Sequence, residues 1–118
     1  MDNKEAKKDE INKFLGNFKK RLNQRSLIFI MNEKNKQTLS EMGFTKLDVE
    51  TELLKLTYKD YMSGPEADRD PNKQGDVWKF GKNINKEDIY IKIKLSSDNR
   101  PVCLSFHYPK RELKYFFK

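Results

Sequence analysis

Two uninterrupted alternations of apolar and polar residues, close together near the C-terminus, leave this chain few ways to fold. From Ile89 to Leu95 every odd position is apolar (Ile89, Ile91, Ile93, Leu95), and Tyr90, Lys92 and Lys94 lie between them. From Val102 to Tyr108 the even positions are large and apolar or aromatic (Val102, Leu104, Phe106, Tyr108), with Cys103, Ser105 and His107 between. A period of two belongs to strands that bury one face and leave the other for solvent or chemistry. Just ahead, Trp78 and Phe80 form the natural buried pair of a third strand, which leaves Val77, Lys79 and Gly81 on the other face.

Register follows from parity, because strands paired in one sheet must bury the same side. A hairpin closed by the loop Ser97 to Arg100 sets Ser96 opposite Pro101, so that Lys94 faces Cys103, Lys92 faces Ser105 and Tyr90 faces His107. Directly opposed residues have Cβ atoms about 4.5–5.5 Å apart, so the Tyr90 and His107 rings are expected to touch. On the other side Trp78 pairs with Ile93 and Phe80 with Ile91, which sets Lys79 beside Lys92 and leaves room at Gly81 beside Tyr90. The exposed face then gathers Lys79, Lys92, Lys94, Tyr90, Ser105 and His107. Parallel lysines repel, and a bound phosphodiester would relieve that repulsion.

The rest of the chain supplies the cover for this sheet. Residues 1–25 hold an amphipathic helix from Asp9 to Gln24, with Ile11, Phe14, Leu15, Phe18 and Leu22 on one stripe. Its charges, acidic first and basic last, match the helix dipole. Residues 26–64 begin with a short strand at Leu27 to Met31. A helix from Glu33 to Met42 follows, capped by Asn32 and stopped by Gly43. Thr45 and Asp48 form a capping box for another helix running to about Leu56, with Leu47, Val49, Leu53, Leu54 and Leu56 as its packing residues. Thr57 caps a short turn that ends at Gly64-Pro65. Residues 65–76 lack apolar periodicity and are expected to form a surface loop. Residues 77–118 hold the three antiparallel strands and a tail, RELKYFFK, whose aromatics should return to the core. The expected fold is a single α+β domain: a twisted antiparallel sheet of these three strands plus the short N-terminal one, backed by helices.

Composition narrows the function. One cysteine allows no internal disulfide, and one histidine with one cysteine and no clustered carboxylates argues against a zinc site. No cofactor or metal is expected. No run is long and apolar enough to span a membrane, and the charged start carries no signal-peptide stretch, so a cytoplasmic protein without a membrane partner is expected. The net charge of +7 is uneven, at +4 over residues 1–25 and +6 over residues 77–118. A one-sided basic field attracts polyanions such as RNA or an acidic protein.

The residues on the sheet face suit metal-free RNA cleavage. Attack of a ribose 2′-hydroxyl on its phosphate needs a base, an acid for the departing 5′-oxygen and positive charge for the phosphorane. Histidine serves as either base or acid near neutrality, tyrosine can donate a proton, and lysines supply preorganised charge. The plainer alternative is a non-catalytic module that binds RNA or an acidic protein. In that case Tyr90 would stack a base and the lysines would contact phosphates.

The succession LKLTYKDYMSGP, VWKFGK, IYIKIKL and VCLSFH resembles the MqsR-type mRNA interferase toxins of toxin–antitoxin modules, and more narrowly a branch ending in a C-x-S-F-H strand. The resemblance covers roughly residues 45–118. It implies a RelE-like α+β fold, metal-independent cleavage of mRNA and neutralisation by a cognate antitoxin. Carried over by position, the family's sheet tyrosine falls on Tyr90, its basic residue after Ser-Phe on His107, and its glutamine after tryptophan on Lys79. The family's lysine in the D-F/Y-x-x motif falls on Ser63, so the charge expected there passes to Lys59 or Lys92. In this reading His107, Tyr90, Lys79 and Lys92 are the catalytic candidates. Lys94, Ser105 and Ser63 are expected to bind substrate, and Arg69 and Lys73 to hold flanking nucleotides.

Overall fold

The computed structural model describes residues 3–68 and 75–118. Three helices, α1 (Asn3–Gln24), α2 (Glu33–Met42) and α3 (Lys46–Leu54), accompany a five-stranded sheet. The strands are β1 (Ile28–Phe29), β2 (Tyr61–Ala67), β3 (Asp76–Ile84), β4 (Glu87–Leu95) and β5 (Pro101–His107), in spatial order β1-β5-β4-β3-β2. The α+β class is as expected, with two changes. The sheet is mixed, because β1 runs parallel to β5. It also has one strand more than expected.

That additional strand, β2, occupies residues whose sequence suggests a turn and the start of a loop. Gly64 and Pro65 break the apolar pattern, yet proline is tolerated on an edge strand, where no ladder partner needs its missing N–H. β2 is such an edge, paired irregularly with β3. The expected strand at Leu27 to Met31 shortens to two residues, extended by one bond from the Ile30 N–H to the Cys103 carbonyl (3.0 Å).

Local signals in the sequence fix the helix ends. The Asn32 side chain accepts from the Asn35 N–H, and Gly43 closes α2 in the left-handed conformation (φ 69°) that glycine adopts without penalty. Thr45 and Asp48 make the full capping box of α3. The two bonds that Asp48 accepts from Thr45 hold its carboxyl below the ordinary range. Packing along α3 is narrower than its leucines suggest. Val49, Leu53 and, just beyond the helix, Leu56 are fully buried, whereas Leu47 is 68% exposed and Leu54 36% exposed, on the outer side of the turn.

One core joins these elements. The stripe Ile11, Leu15, Phe18 and Leu22 of α1 packs with Trp78, Phe80, Ile89, Ile91, Ile93, Cys103 and Phe106 from the sheet. Each such buried side chain contributes on the order of 2 kcal/mol. Phe14 stacks on Trp78 with ring centroids 4.6 Å apart. The first helix is therefore part of the core. It also holds the tail: Lys8 lies 4.6 Å from the ring of Tyr58, which meets Phe117 edge-on, and Lys4 lies over Phe116. Phe117 thus returns to the core as expected, while Phe116 stays 40% exposed.

Candidate functional site

The β3–β4 register is the one parity requires, with Trp78 opposite Ile93, Lys79 opposite Lys92, Phe80 opposite Ile91 and Gly81 opposite Tyr90. On the other side of β4, Tyr90 faces His107 and Lys92 faces Ser105. Ser63 on β2 faces Lys79. Ser63, Lys79, Lys92 and Ser105 therefore form one row across four strands. Gly81, Tyr90 and His107 form the next. The Tyr90 and His107 ring centroids are 5.5 Å apart, with planes at 44°.

Beyond Ser105 the pairing departs from expectation. A bulge at Leu104 shifts the register, so Ile93 faces Cys103, and Lys94 faces Val102 instead of the expected Cys103. The extra residue inverts parity along β5. Cys103 turns into the core, fully buried, and Val102 takes the opposite face of the sheet, where it is buried beside Lys94. Burial pushes the Cys103 thiol far above its usual range, which keeps it protonated and inert.

Asn35 holds the bulge. This fully buried α2 side chain donates to the carbonyls of Ile30 (2.7 Å) and Leu104 (3.0 Å) and accepts from the Phe106 N–H (2.9 Å). It thereby satisfies backbone groups of β5 that the broken ladder cannot pair.

Lysine repulsion on the face is relieved by acids from the segment expected to be a loop. Lys79 pairs with Glu66 at 2.7 Å. Lys94 is only 4% exposed and pairs with Asp68 at 2.6 Å. Glu66 lies within β2 and Asp68 just past its end, a strand-like alternation of acids that could have signalled both partners. Lys92 is half-buried between Lys79 and Ser105, and Ser105 is buried. Lys59 lies exposed in the 3₁₀ turn before β2. Arg69 and Lys73 lie outside the described residues.

His107 ends β5, half-buried, with Nδ1 2.9 Å from the Tyr108 carbonyl. A carbonyl oxygen only accepts, so Nδ1 carries the proton of this bond, and Nε2 of the neutral ring keeps its lone pair. The ring is thus set to take a proton at Nε2 when neutral and to give one there when charged. The tail beyond β5 passes over Gly81: a Cβ at that position would meet Leu113, Tyr115 and Met62 at 2.9–3.1 Å. The Phe116 N–H then donates to the Tyr61 carbonyl (3.1 Å). Burial, with Asp88 and Asp60 nearby, raises the Tyr115 hydroxyl and keeps it protonated.

Among the described residues no three His, Cys, Asp or Glu side chains stand close enough to hold a metal ion. No helix among them is long and apolar enough to cross a membrane. The searches of curated proteins and of solved structures gave no match. A family model described as "Motility quorum-sensing regulator, toxin of MqsA" matches residues 13–108. The match begins within α1, well before the stretch where the sequence motifs suggested a resemblance, and it ends one residue past β5. It takes in both sheet rows and leaves out the tail. The chain belongs to the MqsR-type toxins of toxin–antitoxin systems.

Proposed function

We propose that this toxin is a metal-independent endoribonuclease that cleaves mRNA in the cytoplasm and is neutralised by a cognate antitoxin. The observation that carries the reading is the Tyr90–His107 pair, 5.5 Å apart beside the Lys79–Lys92–Ser105 row, with the histidine Nδ1 committed to the Tyr108 carbonyl. A scissile phosphate set over Lys92 lies within reach of both rings.

The chemistry is a transesterification. The ribose 2′-oxygen attacks phosphorus as its proton passes to a base, and the bond to the 5′-oxygen breaks as that oxygen takes a proton from an acid. The products are a 2′,3′-cyclic phosphate and a free 5′-hydroxyl. His107 Nε2 and the Tyr90 hydroxyl are the acid–base pair, and a positioned acid or base contributes roughly 10²–10⁴-fold. Lys92 and Lys79 offset the charge that develops on the phosphorane, with Glu66 holding Lys79 in place. Ser63 and Ser105 offer hydroxyls at the two ends of the row, and contact with flanking nucleotides is assigned to Arg69 and Lys73. Lys94 takes a different role from the phosphate contact expected of it: buried with Asp68, it ties the segment after β2 to the sheet.

Purified protein incubated with a single-stranded oligoribonucleotide in EDTA should yield fragments with 2′,3′-cyclic phosphate ends and leave the all-deoxy analogue whole. Uncut RNA after long incubation at stoichiometric protein, with RNA still bound, would establish the non-catalytic binding module instead.

A further inference from the structure

His107 also lines a second feature, which lies beyond the two sheet rows. Between α2 and the end of β5 is a shallow, open pocket of about 190 Å³ walled by Lys34, Gln37, Thr38, His107, Tyr108 and Lys110. Two of its six residues are lysines, and the others offer an amide, a hydroxyl, an imidazole and a phenol. Lys34 and Lys110 approach each other closely enough that the proximity of Lys110 lowers the pKa of Lys34. No described ion pair joins either of them to a carboxylate. On the sheet, by contrast, Lys79, Lys82 and Lys94 each have a carboxylate within 3.4 Å. Burial, together with Glu41 and Glu87, raises the Tyr108 hydroxyl above its ordinary value, so it remains a proton donor. Neither acid lines the pocket.

Two neighbouring lysines walling one opening, with no acid among its lining residues, make a site for an anion with several acceptor oxygens. We propose that this pocket is a second phosphate subsite, which holds a phosphodiester neighbouring the scissile one on a single RNA strand. The proposal rests on the RNA-cleaving reading, because His107 joins the two places: its ring meets Tyr90, and the same residue lines the pocket. A strand with one phosphate over Lys92 and the next between Lys34 and Lys110 would be held on both sides of the histidine. Lys110 lies outside the segment that matches the family model, so half of the subsite's charge comes from this chain's own tail.

The test uses a ten-nucleotide 2′-O-methyl RNA, which cannot be cut because it has no free 2′-hydroxyl. Its binding to the full-length protein is followed by fluorescence anisotropy over a series of salt concentrations. Lys34→Gln with Lys110→Gln should weaken binding about tenfold at low salt and shrink the salt slope by about 0.7 for each phosphate the variant no longer neutralises. A second variant, Lys13→Gln with Lys20→Gln, removes equal charge from the exposed side of α1 and should change the slope much less. Equal affinity and slope in the two double variants would overturn the subsite and reduce these lysines to part of a general basic field. Failure of the underlying reading looks different: the unmodified RNA would stay whole with wild-type protein while the two variants still differed in binding.

Discussion

Lys92 and Lys94 are two residues apart on one strand and point to the same face of the sheet, yet the fold puts them to different uses. Lys92 sits half-buried between Lys79 and Ser105, one row from the Tyr90–His107 pair. Lys94 is buried opposite Val102 and bonded to Asp68. The bulge at Leu104 falls between them. On one side of it β5 places Ser105 and His107 on the face shared with Lys92, and on the other it places a buried valine beside Lys94. One inserted residue thus separates a half-buried lysine beside the Tyr90–His107 row from a lysine buried in an ion pair. The Lys94 ammonium, paired under cover, holds the segment after β2 to the sheet, and the Lys92 ammonium is the one the proposed chemistry uses.

The sharpest way to break this comparison is to remove each lysine in turn. Lys94→Ala takes the Lys94 ammonium away from a largely buried Asp68 carboxylate and should cost about 3–5 kcal/mol of stability in denaturant unfolding. Lys92→Ala should change stability by less than about 1 kcal/mol while lowering the rate of RNA cleavage roughly 10²-fold. If both variants lost the same stability and the same rate, the division between them would fail.

Asn35 is the next lever, since it holds the bulge that separates the two halves. Asn35→Ala strands two carbonyls and one N–H in the interior and should cost roughly 3 kcal/mol, read as a lowered denaturation midpoint. Cleavage should fall beyond what the lower stability explains when assayed at a temperature where the variant remains folded, because Ser105 and His107 depend on the bulge for their side of the sheet. The smallest effect is expected at Glu66. Its pair with Lys79 is part-exposed, so Glu66→Gln should change stability by less than about 1 kcal/mol. The same change releases a positive charge on the open face and should tighten binding of an uncleavable RNA severalfold, with a steeper salt dependence.

What was legible in the sequence follows the range of the forces involved. The caps at Asn32, Gly43, Thr45 and Asp48 are local bonds, and each formed where the residues announce it. The Lys79–Lys92 neighbours followed from parity, because burial of Phe80, Ile91 and Ile93 admits no other side; Tyr90 meets His107 because the bulge offsets a hairpin that closes with Leu95, and not Ser96, opposite Pro101. The bulge left no mark in the alternation: Val102, Cys103 and Leu104 are all apolar enough for either face. It depends on Asn35, which meets Leu104 from 69 residues away in sequence. β2 was hidden by its own Gly64-Pro65, since breaker residues on an edge strand look like a loop. Lys94 could not be told from Lys92 by pattern, because its partner Asp68 comes from that same loop-like segment. The exposure of Leu47 shows the converse limit, an apolar residue that the core had no room to receive.

The central claim is that the Tyr90–His107 pair is the catalytic centre, and single-turnover cleavage of an oligoribonucleotide tests it most directly. His107→Ala, Tyr90→Phe and the double variant are compared at neutral pH, with folding checked by thermal unfolding. The account predicts that His107→Ala lowers the rate by about 10²-fold or more, that its unfolding midpoint stays close to wild type, and that the double variant loses little beyond the worse single one, since the two groups act as a unit. A folded His107→Ala protein that cleaves RNA at the wild-type rate would contradict it.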